Sequence, residues 1–186
     1  MSMPLQELFR QSMRRFATTV SVITCASKGV RYGITATAVT ALCAEPASIL
    51  VCINSGTSLA LPLIREGEFC VNLLQSHHVD VSRMFGGKAK GDERFRYGSW
   101  EQNDTGIPYL VGAQANLFCR VDGVMPYGTH KIVIGKVESG QFAPEITPLI
   151  YQDGNYASVV RLSARSWAHG HLPAQHGVIE YPAFSA

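Results

Sequence analysis

Apolar residues recur at Leu5, Leu8, Phe9, Met13 and Phe16, the three-to-four spacing of one helix face. Pro4 suits the first turn and Arg14 and Arg15 suit the negative end, so the pattern predicts an amphipathic N-terminal helix. The period then changes. Residues 18–26 read as a strand broken at Lys28-Gly29, and residues 32–39 as its antiparallel hairpin partner. The continuous apolar run 48–53, bounded by Pro46 and Asn54, predicts a strand buried on both faces. Residues 59–65 predict a short helix that tolerates Pro62 only in its first turn.

Further strands are expected at 69–74, 114–122, 131–141, 148–151 and 156–159, with a short helix over 77–85. Residues 86–92 read as a flexible basic loop, 123–128 as a connection, and Asp153-Gly154-Asn155 as a tight turn. The tail from Ser163 is weakly periodic, carries His169, His171, Pro173 and His176, and is expected on the surface or against a second subunit. Many evenly spaced strands with few helices point to a mainly β, antiparallel barrel with peripheral short helices. No GxGxxG motif leads from a strand into a helix, which disfavours a Rossmann sheet.

At 186 residues the chain fits one domain, 1–186, with its core at about 8–159 and a tail at 163–186. A net charge of +2 with scattered Lys and Arg gives no nucleic-acid groove. The five cysteines stand singly among apolar residues, which argues for reduced thiols rather than a disulfide frame or zinc site. The first residues lack a basic region followed by an apolar core, and no apolar run reaches bilayer length. The expectation is therefore a cytoplasmic protein without a membrane partner.

Two stretches carry candidate chemistry. Thr35, Ala36, Thr37, Ala38 and Thr40 place small side chains and hydroxyls where a flat ligand could approach the backbone, although the same residues suit an ordinary strand packed beneath a helix. One strand later, Asn54, Ser55, Thr57 and Ser58 gather hydroxyls and backbone donors that could receive an anion, or could form a solvated turn capping a helix. Lys88, Lys90 and Arg94 make a basic segment, which is also the ordinary composition of a solvated loop. The pairs His77-His78 and His169-Gly170-His171 lack a nearby cysteine or carboxylate at ligand spacing, so no metal is expected.

The ordered set Gly33-x-Thr35-Ala36-Thr37-Ala38, Glu45-Pro46, Asn54-x-x-Thr57-Ser58, Phe69-Cys70-Val71-Asn72-Leu73-Leu74, Lys90-Gly91-Asp92-x-Arg94-Phe95, Gly128-Thr129-His130 and Leu149-x-Tyr151-x-x-Gly154-x-Tyr156 resembles the short-chain flavin reductases that serve two-component monooxygenases. The resemblance runs from Leu8 to Val159. It implies a six-stranded antiparallel Greek-key split barrel, a homodimer with flavin near the subunit interface, and NADH-dependent reduction of FAD or FMN for a separate oxygenase. Relatives of this kind often serve the hydroxylation of phenols and other aromatics.

The resemblance also assigns roles. Gly33, Thr35, Ala36, Thr37, Ala38 and Thr40 would lie against the flavin ring, and Asn54, Ser55, Thr57 and Ser58 would receive its phosphate. Arg94 would approach the phosphates or the adenylate end, and Tyr156, more than Tyr151, would lie near the dinucleotide. His130 would position the nicotinamide without acting as acid or base, because Thr129 stands where relatives carry an aspartate. Hydride transfer between two cofactors needs alignment more than proton chemistry, which suits a chain with no catalytic triad or carboxylate pair. The rival readings are a non-catalytic flavin-binding or storage protein of the same fold and a structural β-domain that binds no cofactor.

Overall fold

The computed structural model describes residues 3–161. Its elements are α1 (Leu5–Met13), β1 (Thr18–Thr19), β2 (Ser21–Ser27), β3 (Val30–Ala36), β4 (Val39–Ala44), β5 (Ala47–Asn54), α2 (Ala60–Glu66), β6 (Glu68–Leu73), α3 (Val79–Arg83), β7 (Trp100–Gln102), β8 (Pro108–Leu110), β9 (Ala115–Tyr127), β10 (His130–Phe142), β11 (Ile150–Gln152) and β12 (Asn155–Ala157). The architecture is mainly β with a few short helices, as the periodicity predicts. No described helix is long and apolar enough to cross a membrane.

The main sheet has seven strands in the order β3-β2-β6-β9-β10-β5-β4, and every pairing is antiparallel. Two strands adjacent in sequence, β3 and β4, thus stand at opposite edges, joined only by Thr37-Ala38. Laid flat, those edges would be roughly 29 Å apart at the usual strand spacing, whereas the two-residue joint spans about 10 Å. The sheet must curl until its edges approach. Reading 32–39 as one strand missed this, because the apolar and small residues continue through the joint while the backbone changes edge.

Burial follows the curl. One core cluster packs Ile23, Val51, Ile53, Leu59, Leu63 and Phe69 inside the sheet, capped by α2. A second packs Val20, Val22, Leu74, Phe85, Phe95 and Leu110 on the outer side. β2 and its neighbour β6 are both buried on both faces, and β2 contributes to both clusters. The expectation for 48–53 needs correcting: Ile49, Val51 and Ile53 are buried, but Leu50 and Cys52 on the other face are half-buried.

Other differences have local causes. The run 18–26 divides at Val20, whose N–H donates to the Leu149 carbonyl and whose carbonyl accepts from Leu74, so β1 leaves the main sheet to pair with β11. Residues 123–127 are strand rather than connection: β9 and β10 form one long hairpin turning at Gly128-Thr129. Pro62 is the third residue of α2, where a backbone N–H has no partner within the helix. The Lys28-Gly29 and Asp153-Gly154 pairs have positive φ at both positions, the twist that two-residue hairpins need. The tail at 163–186, with its histidines, lies outside the described residues.

Residues 86–92 are not a free loop. A π-helical turn (Met84–Lys88) and a 3₁₀ turn (Gly91–Arg96) order the segment against the outer edge of β3. Helix α1 starts as predicted but ends at Met13 with Arg14 as its C-cap, so Phe16 of the predicted apolar face lies beyond it, and none of its residues is buried in the described chain.

Candidate functional site

The curl brings the end of β3, the Thr37-Ala38 joint, the end of β5 and the start of β10 around one open cavity of about 670 Å³. Its wall includes Ile34, Thr35, Ala36, Thr37 and Ala38 on one side, with Cys52, Asn54, Gly56, Thr57, Ser58 and His130 on another. The ordered strap beyond α3 closes the third side with Phe85, Gly86, Gly87, Lys90, Gly91 and Arg94. Small-residue platform, hydroxyl-rich turn and basic segment, separate in sequence, are thus one site. No Asp or Glu is among these lining residues, while Lys90 and Arg94 are, so the electrostatics favour an anionic ligand.

The hydroxyl-rich turn is built by its own first residue. Asn54 Oδ1 accepts from the Gly56 N–H at 2.9 Å, and the Asn54 carbonyl accepts from the Thr57 hydroxyl at 2.8 Å. The Ser55 N–H donates to the Thr129 carbonyl at 2.9 Å, locking this turn to the β9–β10 turn. None of these residues caps α2, which begins after Leu59 with no side-chain cap. The turn thus supplies no side-chain cap to the helix, while Asn54, Thr57 and Ser58 line the cavity.

His130 sits directly across from Asn54 in the β5–β10 register, exposed at the cavity edge. The Thr129 hydroxyl shares a hydrogen bond with its Nδ1 at 2.9 Å. Thr35 donates its hydroxyl to the Ser82 carbonyl at 2.7 Å, which ties the platform to α3. Gly33 lies behind the platform: its carbonyl accepts from Arg94, and the Phe85 ring rests where a side chain would project.

Four of the expected residues do not line this cavity. Gly33 supports it from behind, and Ser55 contributes through the backbone contact just described. Thr40 is exposed on β4 opposite Leu50, with its hydroxyl turned to the Ala41 carbonyl, so its place on the platform is corrected. Tyr156 is buried on β12 and lines a neighbouring hollow of about 300 Å³ that shares Thr35, Thr37 and Gly86 with the main cavity. Its hydroxyl and the Ser82 hydroxyl are 2.8 Å apart, and burial raises its pKa despite that bond.

Sequence reasoning missed Phe85, Gly86, Gly87 and Gly91 as wall residues. The Gly86-Gly87 pair beside two lysines was a usable signal, read as flexibility. Three buried thiols are poorly suited to nucleophilic chemistry: burial pushes Cys25 and Cys119 up to about 12, and Cys70 well above its ordinary value. His78 is held neutral, its pKa lowered to about 4 by burial and then by His77. Among the described residues no group of three or more His, Cys, Asp or Glu could hold a metal.

Comparison with known proteins places this geometry. The flavin reductase like domain family matches residues 13–159. The chain is 43% identical over 160 residues to the reductase component of an FADH(2)-dependent resorcinol hydroxylase from Rhizobium sp. strain MTP-10005, covering 84% of this chain and 89% of that one. It is 37% identical over 153 residues to an FMN reductase (NADH), RutF, from Methylorubrum populi, covering 82% of this chain and 76% of the relative. Among solved structures, a homologue of nitrilotriacetate monooxygenase component B from Mycobacterium thermoresistibile superposes with a TM-score of 0.78 at 29% identity, covering 92% of each chain. The flavin reductase PheA2 superposes with a TM-score of 0.76 at 27% identity, covering 86% of this chain and all of the other. The family match over residues 13–159 and the 43% identity across most of both chains make this protein a member of the flavin reductase-like family.

Proposed function

We propose that the chain is an NAD(P)H:flavin oxidoreductase, NADH preferred, which reduces FAD or FMN and supplies diffusible reduced flavin to a separate monooxygenase component acting on phenolic or other aromatic compounds. The observation that carries the reading is the cavity: a platform of small residues faces a turn rich in hydroxyls and backbone donors, with cations and no carboxylate on its lining. A flat ring with an anionic tail fits that distribution. The reductase role is supported by relatives named for it, and the aromatic partner by the resorcinol hydroxylase system of one of them.

When bound, the nicotinamide supplies a hydride and the flavin ring accepts it. The protein's own work is placement. Thr35, Ala36, Thr37 and Ala38, backed by Gly33, hold the ring close to backbone groups. Asn54, Ser55, Thr57 and Ser58 form the turn that receives the phosphate, with the basic segment opposite. His130 positions the nicotinamide: Thr129 occupies its Nδ1, which leaves Nε2 for the ligand. Tyr156 borders the neighbouring hollow, on the dinucleotide's side.

The working unit is a cytoplasmic homodimer of a single domain, 1–186, on a Greek-key split barrel, whose main sheet has seven strands where the resemblance implied six. The short joint between opposite sheet edges supports the barrel. The second copy would cover α1, whose Leu5 and Phe9 are 78% and 63% exposed. The deciding experiment is NADH oxidation by purified protein with FAD, with FMN and without flavin. Flavin-dependent NADH consumption, with flavin lost on dialysis, is the expected result. Flavin retained through dialysis without NADH oxidation would replace this reading with the storage protein.

A further inference from the structure

The strap that closes the cavity is fastened to the edge strand β3 by two arginines. Arg31 on β3 pairs with both oxygens of Asp92, Nε to Oδ1 and Nη2 to Oδ2, at 2.8 Å each. Its guanidinium carbon also lies 4.3 Å from the centre of the Phe95 ring. From the strap, Arg94 Nη1 donates to the Gly33 carbonyl at 2.5 Å and Nε donates to the Ala89 carbonyl at 2.9 Å. Arg94 therefore spends donors on both sides of the gap it spans, one on the sheet and one on the strap. A planar fork with fixed donor directions suits a brace of this kind better than a flexible ammonium does.

The other cation on the lining is Lys90, which is exposed and makes no hydrogen bond or ion pair with the described residues. It stands between the two fastenings, one residue from Ala89 and two from Asp92. A lysine ammonium is a mobile point charge, suited to meeting a phosphate without a fixed fork.

We propose that Arg94 is a positioning residue which braces the 86–91 arch against Gly33, and that Lys90, presented by that arch, is the cation that meets the flavin phosphate. This rests on the flavin reading above and reverses the role that the family resemblance implied for Arg94.

The test is equilibrium titration of FMN and of riboflavin, which lacks the phosphate, by flavin fluorescence. Lys90→Met, an exposed change that leaves the fastenings intact, should weaken FMN binding about tenfold and leave riboflavin unchanged. Arg94→Gln should weaken both ligands, because the arch forms a wall of the ring site. Adding Lys90→Met to Arg94→Gln should then cost FMN much less than it costs in the wild-type background. Arg94→Lys, which keeps the charge and loses the fork, should resemble Arg94→Gln. Weakening of FMN alone in Arg94→Gln, rescued by Arg94→Lys and additive with Lys90→Met, would make Arg94 the phosphate ligand and overturn the assignment. Unchanged FMN affinity in Lys90→Met would overturn it too, even if Arg94→Gln fails to fold. Wild-type protein that takes neither flavin would sink the flavin reading itself, and this assignment with it.

Discussion

Phe85 occupies the space that a side chain on Gly33 would need: a Cβ built on Gly33 would come within 2.4 Å of the ring's Cε1 and 2.7 Å of its Cδ1. The ring is held from behind by an edge contact with Phe95 and a tilted contact with Trp100, each with centroids 5.0 Å away, so it has little room to retreat. Gly33→Ala should therefore destabilise the fold by about 1–3 kcal/mol, the usual cost of overpacking. Because Phe85 also lines the cavity, flavin affinity should fall with it. Urea denaturation alongside flavin titration would check this, and pairing Gly33→Ala with Phe85→Leu should recover part of the stability. A neutral Gly33→Ala would show that the ring yields.

His130→Ala should raise the KM for NADH or lower turnover several-fold, in line with about 1 kcal/mol for one lost hydrogen bond. The flavin dissociation constant should move by less. The two must be measured separately, since His130 stands opposite Asn54 in the same cavity. Unchanged NADH kinetics with collapsed flavin binding would remove the nicotinamide role.

Asn72 is wholly buried and joins four segments. Its Nδ2 donates to the Val22 carbonyl and the Thr24 hydroxyl, and its Oδ1 accepts from the Leu110 N–H and from Asn116 Nδ2. Asn72→Ala leaves several buried partners unsatisfied at once, so a loss of about 3 kcal/mol or more is expected in urea denaturation. A loss below about 1 kcal/mol would mean that water replaces the side chain.

His78 gives the fold a pH dependence. Its Nδ1 accepts from the Gln75 N–H at 3.2 Å, a bond that requires the neutral ring. In the folded chain its pKa is depressed to about 4 from an ordinary 6.5, so between those values the unfolded chain binds more protons. The contribution of His78 should be fully present above pH 6.5 and fade as the pH falls towards 4. His78→Gln should flatten this part of the curve. Parallel slopes in denaturation series at pH 7.5 and 5 would place the acid sensitivity elsewhere.

The periodic elements were legible because each announces itself locally. The apolar spacing of α1, the Lys28-Gly29 and Asp153-Gly154 turns, and the long runs of β9 and β10 all appear near their predicted places. What the pattern could not carry was sheet order. Nothing between Ala36 and Val39 shows that the chain crosses to the opposite edge, because that crossing is decided by pairings with β2 and β5. Burial misled for the same reason: β5 has the more continuous apolar run, yet β2 lies between two cores. Residues 86–92 were misread as a flexible loop because glycines and lysines advertise mobility, while the fastening of the strap depends on Arg31, far away in sequence. The platform and the Asn54 turn were legible as motifs, and Thr40 was over-included because the motif's composition runs past the joint.

The two-residue joint at Thr37-Ala38 has a further consequence for the order in which the molecule comes into being. The platform is flanked by strands that pair locally, β3 with β2 and β4 with β5, but His130 reaches the Asn54 turn only through the long-range pairing of β10 with β5. The loop-closure entropy of those distant contacts must be met before the complete ligand surface exists. The binding site is therefore a property of the completed sheet, absent from every fragment that contains its sequence, and a ligand that occupies it draws its affinity from the cooperative folded state as a whole.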